Sequence, residues 1–190
     1  MSGVSVTPSQ SGNLHNVFVY GSLMADDVVR VLLNRVPLSS IALLNGFHRY
    51  SIKGRVYPAI LPVENKKVSG RDMFSGKMIG NAKVLTGITE PELYILDTFE
   101  DDEYERHTVE VSLEDSSGKL LAHTYVWSSI DDPNLYGEWD FEEWKQLHMK
   151  DFVVMTKGFV EELNPPESKT RVSTYESFYK QEGDDNHPAS

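Results

Sequence analysis

The chain alternates short hydrophobic runs with turns rich in glycine, proline and polar residues, a pattern typical of a protein built largely from strands. The hydrophobic runs predict strands at residues 16–20, 83–88, 104–115 and 119–129, and extended segments at 39–54 and 55–63. The segment between the last extended segment and the strand at 83–88, residues 65–82, is polar and glycine-containing, which predicts a long loop.

Helical periodicity marks three further segments. Hydrophobic residues recur at helical spacing in 24–35, and a longer amphipathic pattern predicts a single helix over 140–163. The clearest helix start lies at 89–100, where Thr89 and Glu92 have the spacing of a capping box. Three helices are therefore expected among the strands.

Residues 104–115 and 119–129 flank a Ser-Ser-Gly turn, so the two strands are predicted to form a hairpin. Six or seven short strands with few helices favour a small barrel or a strongly curled sheet with helices on its rim. The fold class that we predict is α+β: a small mixed or antiparallel β-barrel with flanking helices and a C-terminal helical extension.

Composition along the chain suggests four parts. Residues 1–15 are polar and predict a disordered leader, and residues 16–139 predict one barrel domain. The C-terminal helix occupies 140–163, and the segment 164–190 opens with a proline pair and predicts a flexible tail. At 190 residues the chain is long enough for one sizeable hydrophobic core, and we expect a monomer.

Charge and cysteine content exclude several kinds of chemistry. The formal net charge of −11 argues against nucleic-acid binding, which needs clustered Lys and Arg. The chain has no cysteine, so disulfides, thiolate nucleophiles and Cys-ligated zinc are excluded. Its six histidines lack metal-ligand spacing, and no apolar run approaches the length of a membrane helix. We therefore expect a cytoplasmic protein with no metal, no cofactor and no membrane partner.

The first strand ends in Tyr20-Gly21-Ser22, immediately before the first helix. A glycine at such a place lets a ligand approach the backbone, and amides at a helix start point outward. Together they would suit a carboxylate or a phosphate. The spacing does not match a P-loop or a dinucleotide fingerprint, and an ordinary turn stays open as the alternative.

Glu100 lies near the end of the predicted helix 89–100, on the same face as Leu93 and Leu96. An apolar face, the negative end of the helix dipole and acidic neighbours would all raise its pKa. A raised pKa is what a general base working near neutral pH needs. The alternative is that the stretch is a solvated acidic turn.

Four short motifs together resemble the gamma-glutamyl cyclotransferase-like family, and in particular its plant branch named for genes induced by avirulent bacteria. They are VFVYGSLM at 17–24, GRVYPAI at 54–60, LDTFEDDEYERHTVEV at 96–111 and TYVW at 124–127. The resemblance runs from Val17 to Leu163. Each motif is short, but their order and spacing are jointly specific.

The resemblance implies a barrel with a pocket, in which one glutamate acts as acid and base. Glu100 matches that catalytic glutamate. The other matched positions are implied to bind substrate or to support the pocket; they are Tyr20, Gly21, Ser22, Leu23, Met24, Tyr104, Arg106 and Tyr125.

The implied reaction is attack of the substrate α-amine on its own γ-carbonyl, which releases 5-oxoproline and needs no protein nucleophile. This suits a chain without cysteine. The substrate could be a gamma-glutamyl dipeptide, glutathione or a gamma-glutamylamine such as gamma-glutamyl-lysine. The alternative function is a non-catalytic ligand-binding or regulatory protein of the same fold, linked to plant defence.

Overall fold

The computed structural model describes residues 13–63 and 78–163, together with residues 174, 176 and 178. Its strands are β1 (His15–Val19), β2 (Ser39–Asn45), β3 (Phe47–Ile52), β4 (Ala59–Pro62), β5 (Met78–Ile88), β6 (Tyr104–Leu113), β7 (Lys119–Trp127) and β8 (Leu135–Tyr136). Its helices are α1 (Asp26–Leu33), α2 (Glu90–Glu100), α3 (Phe141–Leu147) and α4 (Met149–Leu163), with 3-10 turns at Ser22–Met24 and Asp101–Glu103.

Five strands close into a barrel in the order β1-β5-β2-β6-β7. The pairs are antiparallel except for β1 with β7, which run parallel where Val17 faces His123. A separate sheet has the order β4-β3-β8. The predicted α+β barrel with flanking helices and a helical C-terminal extension is confirmed.

The barrel interior and the helices share one hydrophobic core. In β1 the side chains of Val17, Phe18 and Val19 are all buried, so this strand lies between core layers rather than at a surface. The predicted capping box on α2 is present: the Thr89 hydroxyl accepts from the Glu92 amide, and the Glu92 carboxylate accepts from the Thr89 amide. This cap fixes where α2 begins.

Two predicted elements differ from the structure. β5 begins at Met78, inside the predicted loop 65–82, because Ile79 and Ala82 pack inward and extend the barrel strand. The rest of that predicted loop up to residue 77 lies outside the described residues. The single helix predicted over 140–163 is two helices, since His148 has a non-helical φ of −130° between α3 and α4.

The break at His148 lets two aromatic side chains meet. Trp144 in the middle of α3 and Phe152 in the first turn of α4 are both buried, and their rings contact edge to face with centroids 5.5 Å apart. A continuous helix would place residues eight apart about 12 Å along its axis. The bend therefore brings both rings into the core.

The chain ends also differ in part from the prediction. His15, assigned to the leader, is the first residue of β1, while residues 1–12 lie outside the described part. In the predicted tail, Glu176 lies 3.5 Å from Arg55, and Phe178 packs half-buried against the core. Within the described ranges, no helix is long and apolar enough to cross a membrane.

The contact of Phe178 with the core predicts that residues after α4 contribute to stability. Phe178→Ala should lower the free energy of unfolding by about 1.5–2.5 kcal/mol, roughly half of the cost at a fully buried site. Tyr94→Ala is the control, because Tyr94 is 67% exposed, and its effect should stay within about 0.5 kcal/mol. Urea denaturation measures both, and equal stability of the two variants would show that Phe178 does not pack on the domain.

Candidate functional site

One cavity gathers most of the residues that the sequence singled out. It is partly open to solvent and lies where β1 ends and α2 ends; its empty space, the open mouth included, is about 310 Å³. Its lining comes from β1, the turn after it, the segment before β4, the end of α2, and strands β6 and β7. The lining residues are Phe18, Val19, Tyr20, Gly21, Ser22, Leu23, Tyr57, Pro58, Glu100, Tyr104 and Tyr125.

The turn after β1 is buried and tightly hydrogen-bonded. The Met24 amide donates to the Gly21 carbonyl at 2.9 Å, and the Ala25 amide donates to the Ser22 carbonyl at 3.1 Å. A Cβ at position 21 would lie 2.8 Å from the ring carbons of Pro58. Glycine is therefore required because the backbone presses against a proline ring of the cavity wall, and not because of a left-handed φ.

Glu100 is a buried acid at the last position of α2, with 7% of its surface exposed. The buried face of α2 also contains Leu93, Leu96 and Phe99. Asp101, the next residue, has φ 62° and ψ −167°, a region that is essentially reserved for glycine and costs about 1–3 kcal/mol. The chain is thus held in a strained conformation directly beside the carboxylate.

Four tyrosines line the cavity, and each donates its hydroxyl to another group of the protein. Tyr20 donates to the backbone carbonyl of Tyr125, and Tyr104 donates to that of Pro58 at 2.6 Å. Tyr57 donates to the Glu103 carboxylate at 2.7 Å. The fourth, Tyr125, donates to the carboxylate of Asp97. The phenol rings are thereby fixed to the backbone and to the helix end.

Asp97 joins the cavity to an arginine behind it. Its Oδ1 accepts from the Tyr125 hydroxyl at 2.7 Å, and its Oδ2 accepts from the Arg106 guanidinium. Burial raises the pKa of Tyr125, and the hydrogen bond to Asp97 and the negative charges of Asp97 and Glu100 raise it further. The phenol is therefore neutral at every physiological pH.

The structure brings seven of the nine predicted site residues to the cavity and leaves two away from its wall. Met24 is buried beside the turn, and Arg106 contacts Asp97. Tyr57 and Pro58 line the cavity but were not predicted as site residues. Both lie within the GRVYPAI motif, which carried the family resemblance, although no chemistry of their own marked them.

The described residues contain no group of three or more His, Asp or Glu side chains that could hold a metal ion. Two histidines do meet on neighbouring strands: His15 Nδ1 lies 3.1 Å from His123 Nε2. His15 also contacts Glu90 at 2.6 Å. Burial lowers the pKa of His123, and the nearby Arg106 charge lowers it further, so this histidine is a poor cation at neutral pH.

Comparison with known proteins identifies relatives over most of the chain. AIG2-like protein D of Arabidopsis thaliana is 62% identical over 157 residues, which are 82% of this chain and 95% of the relative. AIG2-like protein C of the same plant is 53% identical over 174 residues, 92% of this chain and 94% of that protein.

A solved structure from the same plant is also similar to this chain. The solution structure of an Arabidopsis thaliana protein, 44% identical, covers 84% of this chain and 99% of its own, with a TM-score of 0.58. The family model described as "Gamma-glutamyl cyclotransferase, AIG2-like" matches residues 17–146. The resemblance drawn from the four sequence motifs is thereby confirmed, and the chain belongs to the gamma-glutamyl cyclotransferase, AIG2-like family.

Proposed function

We propose that this protein is a gamma-glutamyl cyclotransferase, which cleaves a gamma-glutamyl amide and releases 5-oxoproline. The observation that carries the proposal is the convergence of the Tyr20–Leu23 turn with the buried acid Glu100 on one cavity. These groups are far apart in sequence, and a merely structural turn would have no need of a buried carboxylate beside it. Burying a carboxylate costs free energy unless it is paired or hydrogen-bonded, so its place on the cavity wall needs an explanation.

The reaction is intramolecular. The α-amine nitrogen of the gamma-glutamyl group attacks its own γ-carbonyl carbon, so a new C–N bond closes a five-membered lactam. The original amide C–N bond then breaks, and the amine that it carried leaves. The attacking nitrogen enters as an ammonium and ends as the lactam N–H, so it loses two protons, and the leaving nitrogen gains one as it departs as an amine. One of the two protons is released to water, and the other must be taken from the attacking nitrogen and delivered to the leaving nitrogen.

Glu100 is assigned both proton transfers. A carboxylate accepts a proton from the attacking ammonium, and the resulting carboxylic acid returns it to the leaving nitrogen. The burial of Glu100 supports this role, because a group shielded from bulk water keeps the proton within the site. The raised pKa expected from the sequence stays a prediction, and burial is one of the physical causes that would produce it.

The rest of the rate enhancement is assigned to positioning of the substrate. Folding the gamma-glutamyl chain so that its amine lies against its own carbonyl is worth up to about 7–11 kcal/mol in the most favourable cases. The family resemblance implies that the loop Tyr20–Leu23 holds the glutamyl end of the substrate, and we assign it to the α-carboxylate because glycine and the amides at a helix start suit an anion. The rigid contact of Gly21 with Pro58 supports this, since it keeps that backbone close to the cavity.

The direct test is incubation of the purified protein with gamma-glutamyl-alanine, glutathione and gamma-glutamyl-lysine, followed by quantification of 5-oxoproline. We expect release from at least one of them at a rate proportional to protein concentration. Binding of these compounds without any 5-oxoproline would favour the alternative of a non-catalytic ligand-binding protein.

Glu100→Gln should lower kcat by about 10²–10⁴-fold, because the amide cannot carry the proton. The fold and the affinity for uncleaved substrate should change little, since Gln has nearly the same shape. The control is Asp102→Asn, which removes the same charge from an exposed residue two positions away. A Glu100→Gln variant with the kcat of the Asp102→Asn control would show that Glu100 is not the acid and base.

Gly21→Ala should weaken binding of 5-oxoproline by at least about tenfold, equivalent to about 1.4 kcal/mol. The added Cβ would overlap the Pro58 ring, so the turn or the proline must shift. Gly80→Ala is the matched control in a barrel strand, because a Cβ there meets only Leu43 at an ordinary 3.7 Å. Calorimetric titration measures both, and unchanged affinity in a folded Gly21→Ala variant would remove this turn from the site.

A further inference from the structure

A partly buried arginine contacts the turn after β1 from outside the cavity. Arg49, in β3, donates from Nη1 to the Tyr20 carbonyl at 2.8 Å and from Nη2 to the Gly80 carbonyl at 3.2 Å. Tyr20 and Gly21 line the cavity, whereas Arg49 does not. The planar guanidinium thus joins the turn to strand β5 through two backbone carbonyls.

Trp139 holds this guanidinium in place. The Arg49 Cζ atom lies 5.7 Å from the centroid of the Trp139 ring, a cation–π contact. The Trp139 amide donates to the Arg49 carbonyl at 3.3 Å, and the indole Nε1 donates to the Val56 carbonyl at 2.9 Å. Burial lowers the pKa of Arg49 and the negative charges of Asp140 and Glu138 oppose this, but an arginine stays charged at neutral pH. A fixed positive charge therefore lies against the Tyr20 carbonyl.

The direction of the Tyr20 carbonyl determines the direction of the Gly21 amide. The peptide that joins them is trans, so its C=O and its N–H point to opposite sides. Because the carbonyl faces Arg49, the amide is turned away from the guanidinium. Gly21 is buried on the cavity wall, and within the described part of the chain no protein group accepts from its amide. Buried amides are rarely left unpaired, so this donor is suited to a ligand.

The glycine at position 21 makes such an anchor necessary. Glycine adopts positive and negative φ angles about equally readily, so the peptide before it can rotate. After a rotation the Tyr20 carbonyl would face the cavity, and its partial negative charge would repel an anion. The hydrogen bond from Arg49 opposes this rotation, because the carbonyl would lose a charged donor.

Building on the proposed function, we propose that Arg49 is a positioning residue for the substrate carboxylate: it fixes the Tyr20–Gly21 peptide with the amide toward the cavity and strengthens that amide as a donor. A hydrogen bond to the carbonyl of a peptide polarises the N–H of the same peptide, and the effect grows when the donor is charged. Arg49 acts through the backbone and does not contact the substrate. It has no part in the proton transfers assigned to Glu100.

The position of Arg49 outside the cavity fits this role. A guanidinium inside the cavity would form an ion pair with Glu100 and lower the pKa of that carboxyl, which would weaken it as a base. Placed against the Tyr20 carbonyl, the same charge acts on the turn through one peptide. The turn then attracts an anion while the cavity itself holds no competing cation from Arg49.

The test compares two ligands that differ in the carboxylate. 5-Oxoproline carries it on a lactam ring, and 2-pyrrolidinone is the same ring without it. NMR titration of the ¹⁵N-labelled protein should give a 5-oxoproline affinity about ten- to a hundredfold above that for 2-pyrrolidinone, the range of a hydrogen bond to a charged group. 5-Oxoproline should also move the Gly21 amide proton downfield. Equal affinities, or a Gly21 proton that does not respond to 5-oxoproline, would overturn the inference.

Three variants locate the source of that preference. Arg49→Met should lose most of it and shift the Gly21 amide proton of the complex upfield, while its 2-pyrrolidinone affinity changes less than about threefold. Arg49→Lys keeps the charge without the planar fork and should retain part of the preference. Arg35→Met is the matched control, because Arg35 also joins two elements, through the Gly87 carbonyl and Glu92, away from the cavity wall. It should retain the whole preference and the Gly21 shift, which a general loss of stability would not distinguish.

The outcomes separate this inference from the proposed function. Should Arg49→Met fail to fold, Arg49→Gln decides, since its shorter, neutral amide gives the Tyr20 carbonyl no charged donor. An unchanged preference for 5-oxoproline in either neutral variant would overturn the role of Arg49, even in a protein that releases 5-oxoproline from gamma-glutamyl compounds. A preference that depends on Arg49 in a protein that releases none would support the role and reject the catalytic proposal.

Discussion

The parallel pairing of β1 with β7 closes the barrel, and the candidate site depends on this closure. It places the end of β1 beside β7, where the Thr124 hydroxyl donates to the Phe18 carbonyl and the Tyr20 hydroxyl donates to the Tyr125 carbonyl. Both donors and both acceptors are buried, so each bond would be costly to lose without a replacement. Without this closure, the turn after β1 would not face the tyrosine of β7.

A second constraint acts at the end of α2. The helix carries Glu100 into the core at its last position, and the strained backbone of Asp101 then turns the chain away at once. Asp97, one turn earlier, accepts the Tyr125 proton. One short helix end therefore sets the position of the buried acid on which the proposed proton transfers depend, and it fixes the phenol next to that acid.

Much of this arrangement was predictable from local sequence signals. The capping box at Thr89 fixed the start of α2, and the alternating pattern fixed the β6–β7 hairpin. Features that depend on tertiary packing could not be predicted from local sequence patterns. The start of β5 lies in a segment too polar for a strand pattern, and the break at His148 reflects the packing of Trp144 against Phe152. Arg106 was predicted to support the pocket. Only the structure shows how: its guanidinium donates to Asp97, and Asp97 accepts from the Tyr125 hydroxyl.

The central claim is that the cavity receives a gamma-glutamyl group with its α-carboxylate at the Tyr20–Leu23 turn and its reacting amide at Glu100. The most direct measurement is a crystal structure of the Glu100→Gln variant with uncleaved gamma-glutamyl-alanine. We predict an α-carboxylate oxygen within about 3 Å of the Gly21 amide nitrogen, and the γ-amide beside the side chain at position 100. A ligand bound in the reverse direction, or outside this cavity, would contradict the account.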